Sequence, residues 1–189
     1  MAKKIKSNLL TMSVSLFVFC AVMSAALGYV YLVTKKPIED AKLKKEIDAI
    51  GQVLPAFTND PISEKIIIED QKLEIYPAKN NDSLVGVAVK TYTDKAFSGE
   101  FSIMVGFLPD GTIYNTAVLD QKETPGLGAN MTNESFKGQF KNLHPEKNKI
   151  SVKKEGGEID AITASTITSR AYCDAILRAF NEFKKQYKK

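Results

Sequence analysis

Histidine and cysteine are nearly missing from this chain: its 189 residues include one histidine, His144, and two cysteines, Cys20 and Cys173. Zinc and iron–sulfur centres draw several such ligands together, so none is expected to be held by this chain alone. His144-Pro145 reads as a loop. Cys20 falls in an apolar run and Cys173 in a C-terminal helical pattern, which makes them poor disulfide partners. The chain also lacks a Ser/His/Asp arrangement, a Walker loop and a Gly-x-Gly-x-x-Gly turn. Hydrolysis and nicotinamide-nucleotide binding on a Rossmann unit are therefore not expected, and no catalytic residue is assigned. Internal repeats and low-complexity tracts are absent as well.

The formal net charge of +4 does not point to nucleic acid. Five lysines and no acid lie in residues 1–36, which leaves 21 basic against 22 acidic residues in the remainder, a net of −1. With no basic reading helix and no aromatic-rich RNA motif, nucleic-acid binding is not expected.

From Ser7 to Thr34 there is no charged residue, and Leu9 to Val33 exceeds the roughly 20 apolar residues that a hydrocarbon layer requires. The run reads as a transmembrane helix. A cleaved signal peptide is the rival, supported by Lys3, Lys4 and Lys6 and by Ser24-Ala25-Ala26. Against it, the apolar stretch continues to Val33, beyond an h-region of roughly 7 to 15 residues. Phe17 and Phe19 crowd the positions before Cys20 and disfavour a lipoprotein site. Tyr29 and Tyr31 suit the outer interface. Three lysines before the span against Lys35 and Lys36 after it, soon joined by Glu39 and Asp40, give only a slight positive-inside bias. The preferred organisation is a cytoplasmic N-terminus at 1–7, a membrane helix at 8–34, a helical linker at 35–58 and an extracytoplasmic domain at 59–189.

Pro37 suits a first helical turn, and Ile38, Ala41, Ile47, Ile50 and Leu54 follow on roughly one side, so the linker is expected to start there and end near Gly51 or Pro55. Strand-like runs follow at 65–69, 72–76, 84–92, 101–108 and 112–119. Pro109-Asp110-Gly111 is a hairpin turn between the last two. Val85, Val87 and Val89 alternate with small or polar neighbours, as in a sheet with one covered face. A short helix is expected at 133–140 and another strand at 149–153, before the Gly156-Gly157 turn. From Ile167 onward, Tyr172, Ile176, Ala179, Phe180, Phe183 and Tyr187 recur at spacings of three and four, giving a helix with one packing face. Lys184, Lys185, Lys188 and Lys189 cluster at its end, and complementing the negative helix terminus is favoured over a docking patch. The class is α+β, a mainly antiparallel sheet with packed helices, preceded by one N-terminal transmembrane helix.

Two segments carry chemistry. Asp160-Ala161-Ile162-Thr163-Ala164-Ser165-Thr166-Ile167-Thr168-Ser169 stands immediately before the helical pattern. Unpaired N–H groups and partial positive charge favour an anion at such a helix start, whether diffusing or attached to a side-chain oxygen. The alternative is that Thr163, Ser165 or Thr166 simply caps the helix. Upstream, Glu123-Thr124-Pro125-Gly126-Leu127-Gly128 places two glycines around one leucine, suiting a backbone that turns sharply and approaches a ligand closely. Glu123 reads either as a polar contact to the ligand or a group that orients this loop, or else as a surface carboxylate. Arg170 either balances phosphate charge or faces solvent.

Taken in this order, and with the glycine-containing strand Phe97 to Gly106 and the N-terminal anchor, the segments resemble the FMN-binding domain family shared by the Rnf complex's G component and the C component of the sodium-pumping NADH:quinone reductase. Chain length favours the Rnf protein. The family pattern Asp-x-x-Ser/Thr-Gly-Ala-Thr matches here at Asp160, Thr163 and Thr166, with Ala164 in place of the usual glycine and Ser165 in place of alanine. The resemblance implies FMN joined through its phosphate to the Thr166 hydroxyl by a flavin transferase, with Asp160 and Thr163 in transferase recognition. It implies cofactor contacts from Glu123, Thr124, Gly126, Leu127, Gly128, Ser165, Thr168 and Ser169. It further implies an electron-carrying subunit in a bacterial inner-membrane complex, partnered by the other Rnf-type subunits, moving electrons between reduced ferredoxin and NAD and translocating ions. A membrane-tethered binding or assembly protein, with Thr166 as a mere cap, is the contrasting reading, and a flavin domain serving another reductase is a third.

Overall fold

A computed structural model describes residues 8–69, 72–81 and 83–187. The expected N-terminal segment at 1–7 and the terminal Lys188 and Lys189 lie outside the described residues. The chain divides into two compact units, residues 1–44 and 45–189.

The first unit is helical. Helix α1 spans Leu9–Val53; its most apolar 18-residue stretch has a mean hydropathy of 2.2 and is fully unburied, and the helix is long and apolar enough to cross a membrane. The helix expected to begin at Pro37 is instead a continuation of α1, which contains Pro37. The proline removes one backbone donor and leaves the turn before it short of a bond. The Thr34 hydroxyl donates back to the Val30 carbonyl at 2.8 Å, and helix-favouring lysines, acids, alanine and leucine continue the element beyond the proline. Along the expected stripe, Ile50 and Leu54 are buried while Ile38 and Ile47 remain exposed.

The second unit is built on a five-stranded antiparallel meander in sequence order, comprising β1 (Ile66–Ile68), β2 (Leu73–Asn80), β3 (Ser83–Thr93), β4 (Phe101–Phe107) and β5 (Ile113–Asp120). Strand β2 runs past the expected Tyr76 and includes Pro77. The register explains the tolerance: β1 pairs only with residues 73–75, so Pro77 has a partner on the β3 side alone, at Val87. After β5 come a 3₁₀ turn at Gly128–Thr132, helix α2 (Glu134–Lys137), further 3₁₀ turns at Gly138–Phe140 and Lys153–Glu155, and helix α3 (Thr166–Tyr187).

One sheet face carries Ile75, Val87, Val89, Ile103, Val105 and Phe107 and packs against Tyr172, Ile176, Phe180 and Phe183 of α3. This is the apolar face that the spacings of three and four predict. The opposite face was expected to be open, and it is covered: Ala49, Ile50 and Val53 of α1 and Leu54 lie with Tyr76, Ala78, Ala88 and Met104 in a second core cluster. Small residues permit the approach. A Cβ on Gly106 would lie 1.7 Å from the Val53 carbonyl oxygen, and one on Gly86 would lie 2.9 Å from Leu54 Cδ2.

Two further expectations are corrected. Residues 149–153 form no strand; the only ladder there is an isolated parallel bridge between Val152 and Ile159. The Gly156-Gly157 turn folds the chain back too tightly for a longer ladder, with the Gly157 α-carbon so near Ser151 that a Cβ would meet its carbonyl oxygen at 2.0 Å. The segment 97–100 is loop, and β4 starts only at Phe101. Cys173 is buried on α3, where desolvation pushes its thiol up to about 12, so it stays protonated.

Candidate functional site

Tyr172 fixes how α3 presents its first turn. Its ring lies in an aromatic cluster, 5.3 Å from Phe136 and 5.2 Å from Phe140, and its hydroxyl donates to Thr116 Oγ1 of β5 at 2.8 Å. Ahead of the helix, the Ser165 amide donates to the Ile162 carbonyl at 2.9 Å, and the Ser165 carbonyl accepts the Ser169 amide at 3.0 Å. The Ser169 hydroxyl closes the knot, donating to Ser165 O and accepting from the Ile162 amide, both at 2.9 Å. Between these bonds Ala164 adopts a φ of +59°.

The loop after β5 comes to the same place. Leu127 and Ala129 both donate to the Thr124 carbonyl, at 3.1 and 3.2 Å, and Gly126 has a φ of +77°. Asn130 Nδ2 donates to the Gly126 carbonyl at 2.9 Å. Glu123 is 6% exposed, which removes the surface-carboxylate reading. Its Oε1 accepts the Ser98 amide at 2.9 Å, tying the loop to the β3–β4 connection. Gly128 packs directly on this carboxylate, since a Cβ there would lie 2.3 Å from Glu123 Oε2.

Between these segments is a cavity of about 320 Å³, lined by Phe97, Glu123, Thr124, Leu127, Gly128 and residues 164–168. It therefore unites Glu123, Thr124, Leu127, Gly128, Ser165, Thr166 and Thr168 of the expected contacts. Gly126 is not part of its lining and borders a neighbouring groove, together with Asp160 and Thr163. Ser169 is buried with its hydroxyl committed to the loop. Asp160 is exposed and paired with Lys153 at 2.7 Å, while Gln139 bonds its backbone amide and carbonyl. Arg170 faces Glu155, with Nε 2.6 Å from Oε1, and does not line the cavity. Phe97 and Ile167 are wall residues that sequence reasoning missed; Phe97 was hidden by its assignment to a strand.

The cavity has a polar and an apolar part. Thr124, Ser165, Thr166 and Thr168 bring hydroxyls, and the first turn of α3 brings unpaired N–H groups. Thr168 Oγ1 is fully buried without a hydrogen-bond partner among the described residues, an unsatisfied group that a polar ligand would satisfy. Phe97, Leu127 and Ile167 form the apolar part. Among the described residues no lysine or arginine is in the lining, and Glu123 is its one charged residue.

Comparison with known proteins gives this geometry a context. Residues 97–181, a span that takes in the whole lining, match the model of the FMN-binding domain family. The chain is 33% identical over 175 residues to the G component of the Na(+)-translocating ferredoxin:NAD(+) oxidoreductase complex of Acetobacterium woodii, covering 85% of this chain and 84% of that one. It is 32% identical to the G component of the ion-translocating oxidoreductase complex of Erwinia tasmaniensis, over 87% of this chain and 85% of that one. The fold is similar to that of the C component of the Na(+)-translocating NADH-quinone reductase from Parabacteroides distasonis, with a TM-score of 0.50 and 19% identity over 69% of each chain. The cavity, its matching domain and the extent of these identities place the chain in the family of G components of ion-translocating oxidoreductase complexes.

Proposed function

We propose that the chain is the membrane-anchored flavoprotein subunit of an ion-translocating oxidoreductase complex of the ferredoxin:NAD type, carrying FMN in the cavity at the start of α3, bound by a phosphoester to Thr166. The observation that carries this reading is the meeting of Thr166 with the loop 123–128 across one cavity. The residues fit the group: hydroxyls and helix N–H groups suit phosphate and ribityl oxygens, Thr168 offers an unused hydroxyl, and the apolar wall suits an aromatic ring.

The charge of the site favours a covalent link. A phosphate monoester carries about −1.5 to −2 at neutral pH. An ester to Thr166 removes one ionisable oxygen and leaves a single negative charge, which suits a lining with a carboxylate and no cation. Thr166 is only partly buried and accessible to a transferase, and Asp160 and Thr163 lie on the adjacent groove, where such an enzyme would grip the chain.

Bound FMN supplies one- and two-electron transfer. The chain's own residues position it: Thr166 holds the phosphate end, Thr168 donates a hydrogen bond, and the Glu123–Ser98 link fixes the loop that shapes the cavity. Helix α1 anchors the protein as a single span in the bacterial cell membrane, with the domain on the extracytoplasmic side and the other members of the complex as its electron partners.

The test is intact mass and visible absorbance of the membrane-extracted protein, with Thr166→Ala beside it. A denaturation-resistant adduct of FMN minus water, lost in the variant, is the expected result. A colourless, unmodified wild type made with its transferase would sink the covalent reading and leave a tethered binding or assembly protein.

A further inference from the structure

Phe97 is 73% exposed, yet it is not loosely held. The next residue, Ser98, donates its amide to the buried Glu123 carboxylate at 2.9 Å, and that carboxylate is wedged against Gly128. The Phe97 backbone is thus tied to the cavity loop while its ring stands in solvent. Leu127 and Ile167, lining the same cavity, are 42% and 47% exposed. Three large apolar side chains left in water around one opening form a surface without its counterpart.

The size of the cavity limits how much of a ligand it can enclose. At about 320 Å³ it lies at the bottom of the range of roughly 300 to 1,000 Å³ that encloses small ligands, so a flavin nucleotide extends to the mouth. Its phosphate and ribityl hydroxyls match the threonines and the helix start, which leaves the flat tricyclic ring for the apolar side. Resting on the reading of this cavity as the FMN site, we propose that Phe97 is the aromatic wall on which the isoalloxazine ring stacks, held in place by the Ser98–Glu123 hydrogen bond. Offset stacking is the favoured arrangement of two such rings, and it shields one flavin face from water.

The full chain, produced with a flavin transferase, is compared with Phe97→Tyr and Phe97→Ala. Both substitutions fall on an exposed loop side chain and are expected to retain the fold. Tyrosine quenches flavin emission by electron transfer only at van der Waals contact, so Phe97→Tyr is expected to lower emission several-fold. Phe97→Ala is expected to raise the iodide quenching constant several-fold and lower the emission anisotropy. The adduct mass changes in each only by the substitution itself. If the adduct is present and either variant behaves as wild type, the Phe97 assignment is overturned and the FMN site stands. If the wild type carries no FMN at all, the site reading fails and the stacking role with it.

Discussion

Ala164 adopts a left-handed backbone at φ +59°, a geometry that costs an L-residue roughly 1 to 2 kcal/mol. The related motif usually has glycine at this position, and the positive φ explains why: glycine meets the turn without a Cβ penalty. Ala164→Gly is expected to stabilise the domain by about 0.5 kcal/mol, the relief of strain being partly offset by the greater freedom of glycine in the unfolded chain. A small rise in thermal midpoint checks it, whereas a fall would mean the alanine methyl makes a needed contact. Thr166, Glu123 and the loop glycines could be singled out in the sequence because their residue types announce chemistry or turning. Phe97 could not, because a phenylalanine next to a strand pattern looks like core until its exposure is seen. Ser169 belonged to a hydroxyl-rich run, and no spacing rule tells a hydroxyl that faces a ligand from one that ties a loop.

At the scale of elements, the close approach of α1 to the sheet rests on positions without side chains. Gly106→Ala would drive a methyl into the Val53 carbonyl, and overpacking against backbone leaves little room to relax. The expected loss is about 3 kcal/mol, read as a lower denaturation midpoint. An unchanged midpoint would show that the last turn of α1 is free to shift. Gly28, where an added Cβ would meet no side chain and no other element within 4 Å, makes a contrasting control. The strands and α3 were legible because valine alternation and the three–four spacing report a buried face directly. The second covered face was not, since glycine and alanine at alternate positions signal an open surface and a tight helix contact equally well. The strand expected at 149–153 does not form for a related reason: the alternation of Ile150 and Val152 suits a strand, but the tight reversal at Gly156-Gly157 leaves room for a single bridge, Val152 to Ile159.

Across the domain as a whole, a charge network joins three elements. Lys90 Nζ bonds both Glu46 of α1 and Glu74 of β2, the Tyr76 hydroxyl donates to Glu74 at 2.7 Å, and Lys65 reaches it at 3.2 Å. Burial would raise the Glu74 pKa, but the bonds from Lys90 and Tyr76 outweigh it and hold the carboxyl at about 2 against an ordinary 4.5. A depressed folded-state value means that the stabilisation is present above pH 4.5 and is lost as pH falls toward 2. Acid unfolding of wild type is therefore expected to show a loss of stability in that window which Glu74→Gln lacks; identical acid profiles would remove Glu74 from the account. The family was legible from two short segments and their order, whereas this network was not, because its members lie far apart in sequence. The meander order, β1 to β5 in succession, also has a kinetic consequence. Neighbouring hairpins close short loops and form quickly, while α3 follows all five strands in the chain and must return across the sheet. The cavity needs both the loop after β5 and the first turn of α3, so it is expected to assemble late in refolding, and the proposed attachment at Thr166 would then serve as a chemical record that the domain has finished folding.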